Sequence, residues 1–579
     1  MIKDRFTSRR LTLAIALSLF ALPAFTQSTS QGVQSQATPQ LPADAPQAAT
    51  STDGLVPRAQ DAQERPPLPQ PQNAVAPATT EPQTSFVLRK VTFNGASVFT
   101  ATQLDALATP RIGQPVTLDD LDKLAQQVTA LYRQRGFIFA TALVPVQQVR
   151  DGSVEISIIE GRLGQLKIEM DPAAPIKEER IRAMLAPLVP GQPLNGKVYE
   201  RAMLLLSDLP GIKAQSALSS GAEAGSTDLV VKISRAAPVN VSLGLDDYGT
   251  REAGTLRGGG SLRWNSPLGY GDNLDARALV SERGGTTFGR LSYEAPIGYD
   301  GLRAGIGASQ VEYSLGGAFE PLDAVGLSRI YDASLTLPVI RQRNQNLFLR
   351  LLIDHKELTD ELRTVDYDSH KRINGVGLGW AWERRDNFGG GGYFSSNGVL
   401  YRGRLKLLDQ PNALYDQSPY GADTAGDFTK LTFQFSRLQA LWPKQTLFVG
   451  LGGQWSNRNL DASEQLSLGG HDAVRAYPQG EVLADRGIIG NIEYRYALNN
   501  DVTTYVFYDA SRGWLNTPPA ATPGDRPVRS LRGPGLGLSW AKPSNFSLDL
   551  SVAWRTTDPA VTSGGDKKPR VFFQLQKFF

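Results

Sequence analysis

Few residues of this 579-residue chain are of a type and spacing that could do covalent chemistry. Cysteine is absent, which excludes thiol chemistry, disulfides and cysteine-based metal sites. The three histidines, His355, His370 and His471, stand far apart and without metal-ligand spacing. Asp246 and Asp247 are neighbours in a strand-like run, so they are expected to point to opposite faces and not to form a paired-carboxylate site. Gly375, Gly377 and Gly379 fall at period two, and no helix opens after them. They read as small positions on one face of a strand, lumen-facing or closely approached, and not as a phosphate loop. No Gly-x-Ser-x-Gly elbow or Walker-type loop occurs. The expectation is a protein that is not an enzyme, with no catalytic residue, cofactor or metal.

One long loop and one strand-like run merit a closer reading. Arg475 sits in the middle of Leu468–Glu481, a long loop with glycines at both ends, between strand runs Leu447–Trp455 and Ile488–Tyr496. Asp509 sits in the run Tyr505–Gly513. Alternation places Val502, Thr504, Val506 and Tyr508 on one face and Thr503, Phe507, Asp509 and Ser511 on the other. By residue type alone Arg475 reads first as a solvated loop charge, since exposed pairs contribute little. A guanidinium can also grip a carboxylate with two parallel hydrogen bonds, which fixes orientation as well as adding energy.

The elements that position these residues are strands of strict period two. Val239, Val241, Leu243 and Leu245 interleave with Asn240, Ser242, Gly244 and Asp246, and Phe546–Ala553 and Leu431–Ser436 behave in the same way. In water such strands bury their apolar face on a second layer, but a soluble sandwich of this length is unusual and no helices are available to cover it. In hydrocarbon every backbone group must be paired internally, so the strands must close, with the apolar face outward and the polar face lining a wet lumen. About 340 residues, at ~9–11 per spanning strand plus turns, give about 16 strands. Trp264, Tyr293, Trp442 and Trp540 suit aromatic girdles. In the last segment Val571, Phe573, Leu575 and Phe579 share one face and Gln574 and Gln576 the other. The expected fold is mostly β, a roughly 16-stranded antiparallel transmembrane barrel over residues 237–579, preceded by α+β units.

Ahead of the barrel the texture changes three times. Residues 1–26 carry a basic flank (Lys3, Arg5, Arg9, Arg10), an apolar stretch from Leu11 to Phe25 and small residues near its end, the layout of a secretory signal peptide. Residues 27–84 are rich in Pro, Gln, Ala and Thr and read as a linker, with at most a turn or two of helix near Ala59–Arg65. Residues 85–161 and 162–236 repeat one β-α-α-β-β order. In the first copy, Phe86–Phe93 is an expected strand, Ala101–Leu107 a short helix, and Thr117 an N-cap with Asp120 three residues on. Leu121, Leu124, Ala125, Val128, Leu131 and Tyr132 form the apolar stripe of the second helix, and Gly136 ends it. Phe137–Val144 and Val154–Ile159 are expected strands, joined through Asp151-Gly152. In the second copy the strands are Leu163–Glu169, Ile212–Leu218 and Leu229–Ser234, and the helices Glu178–Leu188 and Gly196–Leu206, the latter capped by Asn195. Net charge is +3, too small to point to nucleic acid.

The repeated unit resembles the polypeptide-transport-associated (POTRA) domain. Val474-Arg475-Ala476-Tyr477 resembles the Val-Arg-Gly-Tyr loop of two-partner-secretion transporters and of the wider superfamily of POTRA-bearing barrels. Phe507-x-Asp509 resembles that family's matching wall motif, and the final strand with Phe573, Leu575 and Phe579 resembles the assembly signal of bacterial outer-membrane barrels. The resemblance implies a loop folded back into the lumen, with Arg475 latched to Asp509. It implies POTRA units in the periplasm that capture an unfolded exoprotein, by strand addition to a sheet edge, and a pore that exports it, as in the haemolysin secretion and activation kind of transporter. Implied partners are one large secreted exoprotein, outer-membrane lipids and the barrel-assembly machinery during biogenesis, with the transporter a monomer and no nucleic acid involved. Two departures stand out. Ala476 replaces the usual Gly, which would restrict the loop if φ there were positive, and Ser511 stands where a Gly often follows the Asp-Ala pair. The proline-rich lead argues against a plugging helix. A barrel-assembly insertase and a passive porin are the rival readings.

Overall fold

The computed structural model describes residues 85–515, 527–557, 559–560 and 567–579. The expected signal peptide, linker and short helix near Ala59–Arg65 lie outside the described residues.

The first unit packs two helices, Ala101–Ala108 and Leu118–Gln134, on a three-stranded sheet. In that sheet Ser153–Ile159 is central, parallel to Lys90–Asn94 and antiparallel to Thr141–Leu143. The second helix starts where a side chain can satisfy its open amides. Thr117 Oγ1 accepts from the Asp120 amide at 3.3 Å, and Asp120 Oδ2 accepts from the Thr117 amide at 3.0 Å. It stops at Gly136, whose φ of 98° suits glycine. Leu121, Leu124, Ala125, Val128 and Tyr132 are buried on the sheet.

Two expected strands are shorter than their sequence suggested. Phe86–Phe93 is broken, because Leu88 turns fully into the core and its amide bonds Gln114 O at 3.0 Å. Only Phe86–Val87 and Lys90–Asn94 are extended, and the former pairs with Pro115–Val116. Phe137–Val144 is strand only over Thr141–Leu143. The Phe137 amide bonds Tyr132 O at 3.0 Å and the Ala140 amide bonds Phe137 O at 3.1 Å, so the helix end and a turn take the groups a ladder would have used.

The second unit repeats the order with Arg162–Met170, Glu178–Met184, Gly196–Ser207, Ile212–Ser220 and Ser226–Arg235, the last strand central. Asn195 Oδ1 caps its longer helix, accepting from Lys197 N at 2.9 Å. The helix expected to reach Leu188 ends at Met184 and continues as a turn. The two units abut: Gly196 N donates to Gly136 O at 2.8 Å.

From Val239 the chain forms a closed barrel of 16 antiparallel strands, from Val239–Asp246 to Arg570–Phe578. The first and last strands pair from Gln574↔Asp246 to Phe578↔Ser242. Leu243 and Leu245 face outward, while Ser242 and Asp246 are buried inward. This inverts a soluble protein's pattern and is the order a hydrocarbon surround requires. Gly375, Gly377 and Gly379 lie on the inner face, and a Cβ on Gly375 would run into the Tyr401 ring. Asp247 does not lie on a strand face as expected. The strand ends at Asp246, and Asp247 Oδ1 accepts the Phe573 amide of the last strand at 2.8 Å. The second unit is tied to the barrel's turns. Arg341 Nε donates to Asp208 Oδ2 at 2.7 Å, and Arg201 Nη2 donates to Pro338 O at 2.9 Å.

Between the two α+β units lies Glu160, which accepts from the Ser97 and Val98 amides at 2.6 and 2.9 Å, from Tyr132 OH at 2.8 Å and from Arg162 Nη2 at 3.0 Å. Burial works against its ionisation, but hydrogen bonds from Ser97, Val98 and Tyr132 outweigh it and hold the carboxyl below its ordinary value. With the folded value depressed, the stabilisation is complete above the unfolded carboxyl's ordinary 4.5 and is lost as pH falls through the lowered folded value. The opening free energy of the first unit, measured by hydrogen exchange corrected for intrinsic rates, is expected to drop over that acid range. Glu160→Gln is expected to lower it by about 1–3 kcal/mol at neutral pH and to flatten the acid step. An acid step of undiminished size in the variant would assign it to another group.

Candidate functional site

Strands Gln445–Ser456 and Arg486–Ala497 pair directly, from Gln445↔Tyr496 to Gln454↔Gly487. The connection between them, residues 457–485, turns into the lumen. Its neck is a two-stranded ribbon, Leu466–Ser467 with Leu483–Ala484. Beyond the neck the tip runs through Val474-Arg475-Ala476-Tyr477, all buried.

Arg475 meets Asp509 in the two-pronged manner its fork allows. Nε donates to Oδ2 and Nη2 to Oδ1, each at 2.8 Å, and the Arg475 amide adds a third bond to Oδ2 at 3.1 Å. Asn491 Nδ2 donates to Asp509 Oδ1 and to Ala473 O, both at 2.9 Å. The third guanidinium nitrogen, Nη1, lies 2.8 Å from Glu493 Oε1. The guanidinium carbon stands 3.5 Å from the centre of the Phe507 ring, so the cation is stacked as well as paired. Asp509 is 0% exposed and Arg475 9%. Removing one partner of so buried a pair leaves the other without compensation, at a cost on the order of 3–5 kcal/mol.

The strand Val502–Trp514 presents these groups by simple alternation. Phe507, Asp509 and Ser511 are buried, while Val506 and Tyr508 are 49% and 42% exposed on the outer face. The neighbouring strand Val528–Lys542 makes room with small residues. A Cβ on Gly535 would strike the Phe507 ring, and one on Gly533 would strike Ala476 Cβ. Ala476 costs the loop nothing, because its φ is not positive. The left-handed positions are Gly470, Gly480 and Val482 instead. Ser511 Oγ donates to Leu468 O at 3.4 Å, bonding the loop where a glycine could not. Tyr477 OH lies 2.7 Å from Thr557 Oγ1.

Several members of the site were not singled out from sequence. Asn491, Glu493 and Arg495 are polar residues of one parity in the strand Arg486–Ala497, a signal present in the sequence. His471, which the spacing of the histidines excludes from a metal site, stacks on Tyr248 with ring centres 3.5 Å apart and 13° between planes, and sits edge-on to Phe572 of the last strand. No sequence signal marks that contact, since 223 positions separate His471 from Tyr248 in the chain. At the carboxyl end Phe573 and Leu575 share the outward parity, and Phe579 is exposed, with its amide bonded to Val241 O at 2.9 Å.

Known proteins place this architecture. The haemolysin secretion/activation protein family ShlB/FhaC/HecB matches residues 225–540, and the ShlB-type POTRA domain matches residues 86–161. The heme/hemopexin transporter protein HuxB of Haemophilus influenzae is 27% identical over 451 residues, 76% of this chain and 78% of that protein. The outer membrane transporter CdiB of Dickeya dadantii is 25% identical over 487 residues, 82% and 84% of the two chains. The solved structure of CdiB from Escherichia coli shares the fold with a TM-score of 0.70 at 22% identity, covering 90% of this chain and 95% of that one. This chain belongs to the ShlB/FhaC/HecB haemolysin secretion/activation family and is an outer-membrane transporter of two-partner secretion, with its POTRA region in the periplasm.

Proposed function

We propose that the chain exports one large partner exoprotein, held unfolded by the two periplasmic units and threaded through the lumen, and that Arg475 and Asp509 form the latch of a loop that closes the pore between passages. The observation that carries the latch is the directional grip itself: a buried arginine that gives one wall carboxylate three hydrogen bonds, two from its guanidinium and one from its amide, and lies against a second carboxylate. A 16-stranded barrel encloses room for an aqueous channel, so something must fill it and yet be able to leave. No nucleotide is at hand in the outer membrane, and folding of the passenger outside supplies direction. The edges of the unit sheets, such as Lys90–Asn94, offer main-chain groups to an extended passenger. HuxB is named for heme and hemopexin; the partner proposed here is a large secreted protein. The outer apolar belt meets outer-membrane lipid. The last strand, with Phe573, Leu575 and Phe579, is read by the barrel-assembly machinery, and the transporter acts as a monomer.

The rival reading within the superfamily is a barrel-assembly insertase, which would open at the junction of the first and last strands. That junction has five register pairs, against eight between Phe546–Ala553 and Arg570–Phe578. Deleting the gene is expected to remove one large protein from the medium with other outer-membrane barrels unaffected; a general loss of barrels would establish the insertase instead. Deleting residues 86–235 is expected to abolish secretion while the barrel still inserts, and unchanged secretion would end the capture role.

The latch has its own test. Arg475→Ala leaves Asp509 buried without its counter-charge and is expected to weaken the inward loop on the order of 3–5 kcal/mol, read as larger and more frequent openings in planar bilayers. Arg475→Lys keeps the charge but loses the fork and is expected to fall between the two. Conductance of Arg475→Ala indistinguishable from wild type would remove the latch.

A further inference from the structure

The inward connection is held at a second wall, by charges that the Arg475–Asp509 pair does not touch. Glu464 lies in the first arm, residues 457–465, which leads from strand Gln445–Ser456 to the neck. Its carboxylate is shared by two lysines: Lys356 Nζ is 2.7 Å from Oε1, and Lys430 Nζ is 2.8 Å from Oε2. Lys430 also donates to Glu464 O at 3.1 Å, as does Gln454 Nε2 at 3.0 Å. Three residues earlier in the chain, Asp461 Oδ2 lies 2.9 Å from Lys371 Nζ, which also meets Asp360 at 3.1 Å. Glu464, Lys356 and Lys430 are all buried. The lysines belong to three different strands, Gln345–Leu362, Tyr367–Asp386 and Gly426–Trp442. Leu460 packs in one apolar cluster with Leu358, Ile373, Tyr401, Leu405 and Phe428, and its amide bonds Asp485 Oδ1 at 2.8 Å.

The two arms differ in backbone as well as in partners. Residues 457–468 contain no glycine, whereas the tip is bounded by Gly469 and Gly470 on one side and Gly480 on the other. Gly470 and Gly480 have φ of 113° and 72°. Val482, just beyond, is held at φ 63°, a conformation that a β-branched residue adopts only under constraint from its surroundings. Freedom to turn and local strain are therefore concentrated at the ends of the tip, as expected of hinges, and are missing from the first arm.

We propose that the connection is two bodies, and that Glu464 is the positioning residue that divides them. The first arm is a fixed buttress, pinned by Glu464 to Lys356 and Lys430 and by Asp461 to Lys371. Only the tip, from Gly469 to about Val482, moves when Arg475 releases Asp509, parting the His471–Tyr248 stack as it goes. The passage then opens beside the strands that carry Asp509, Tyr248 and Phe572, and not across the whole lumen. This rests on the latch reading above.

The chain's lack of cysteine makes introduced pairs unambiguous. In the full-length transporter, already inserted in the outer membrane, Asp461→Cys with Lys371→Cys ties the first arm, and Tyr477→Cys with Thr557→Cys ties the tip, each closed by a short, reducible bifunctional thiol reagent. The first tie is expected to leave secretion within about twofold of the uncrosslinked pair, and the second to lower it by about tenfold or more until reduced. Glu464→Gln is expected to lower secretion several-fold, and closing the first tie in that variant to restore it, a rescue that a mere folding defect would not show. A first-arm tie that blocks secretion as fully as the tip tie overturns the division into buttress and tip, as does failure of the tie to rescue Glu464→Gln. A tip tie without effect overturns the latch reading itself, whatever the first arm does.

Discussion

A peptide group in hydrocarbon has no water to turn to, and the rest of this molecule follows from that. Strands with one apolar face can lie in a membrane only if the sheet has no free edge, so the first strand must find the last. Here it does so through Gln574↔Asp246 to Phe578↔Ser242, extended by the Phe579 and Val241 amides exchanging bonds with each other's carbonyls. Closure fixes the second face as well. Every residue of the other parity is forced inward, into a space that would otherwise hold only water. Charged groups such as Asp246, Lys356, Glu493 and Asp509 are buried because the geometry of closure puts them there, and each is then matched by an opposite charge within reach.

What alternation alone could reveal was therefore large: the barrel, its strand number and the inward aspect of Phe507 and Asp509 all rest on period two. Helix boundaries at Thr117, Gly136 and Asn195 were legible for a different reason, since capping is a local contract between a side chain and the nearest open amides. The failures are equally physical. Phe86–Phe93 and Phe137–Val144 have strand-forming composition, but tertiary contacts took their backbone groups: Leu88 left the ladder to fill the core, and the Phe137 amide closed a helix end. The Glu464 cluster was illegible because its lysines come from strands Gln345–Leu362 and Gly426–Trp442, and no local pattern announces which inward residue of one strand faces which of another. The notch at Gly375 that lets Tyr401 lie flat below both lysines reads in sequence only as one more glycine at period two.

The use of charge beside apolar packing for the loop's attachments has a physical logic. An apolar plug would be held by the area it hides from water, about 25 cal/mol per Å², and would owe the whole of that on leaving a lumen that fills with water behind it. A guanidinium and a carboxylate that part in a wet channel regain much of their hydration, so the cost of release is far below the strength of the closed pair. The closed pair also has direction, which hydrophobic burial lacks: the fork of Arg475 donates to Asp509 in one orientation and leaves Nη1 aimed at Glu493. The gate proposed above, which must shut in the same place after each passage, gains more from that than from tighter adhesion. The apolar residues of the tip, Ala473, Val474, Ala476, Tyr477 and Val482, pack in one buried cluster with Tyr505, Phe507 and Leu531 of the wall. They shape the closed state without making it irreversible.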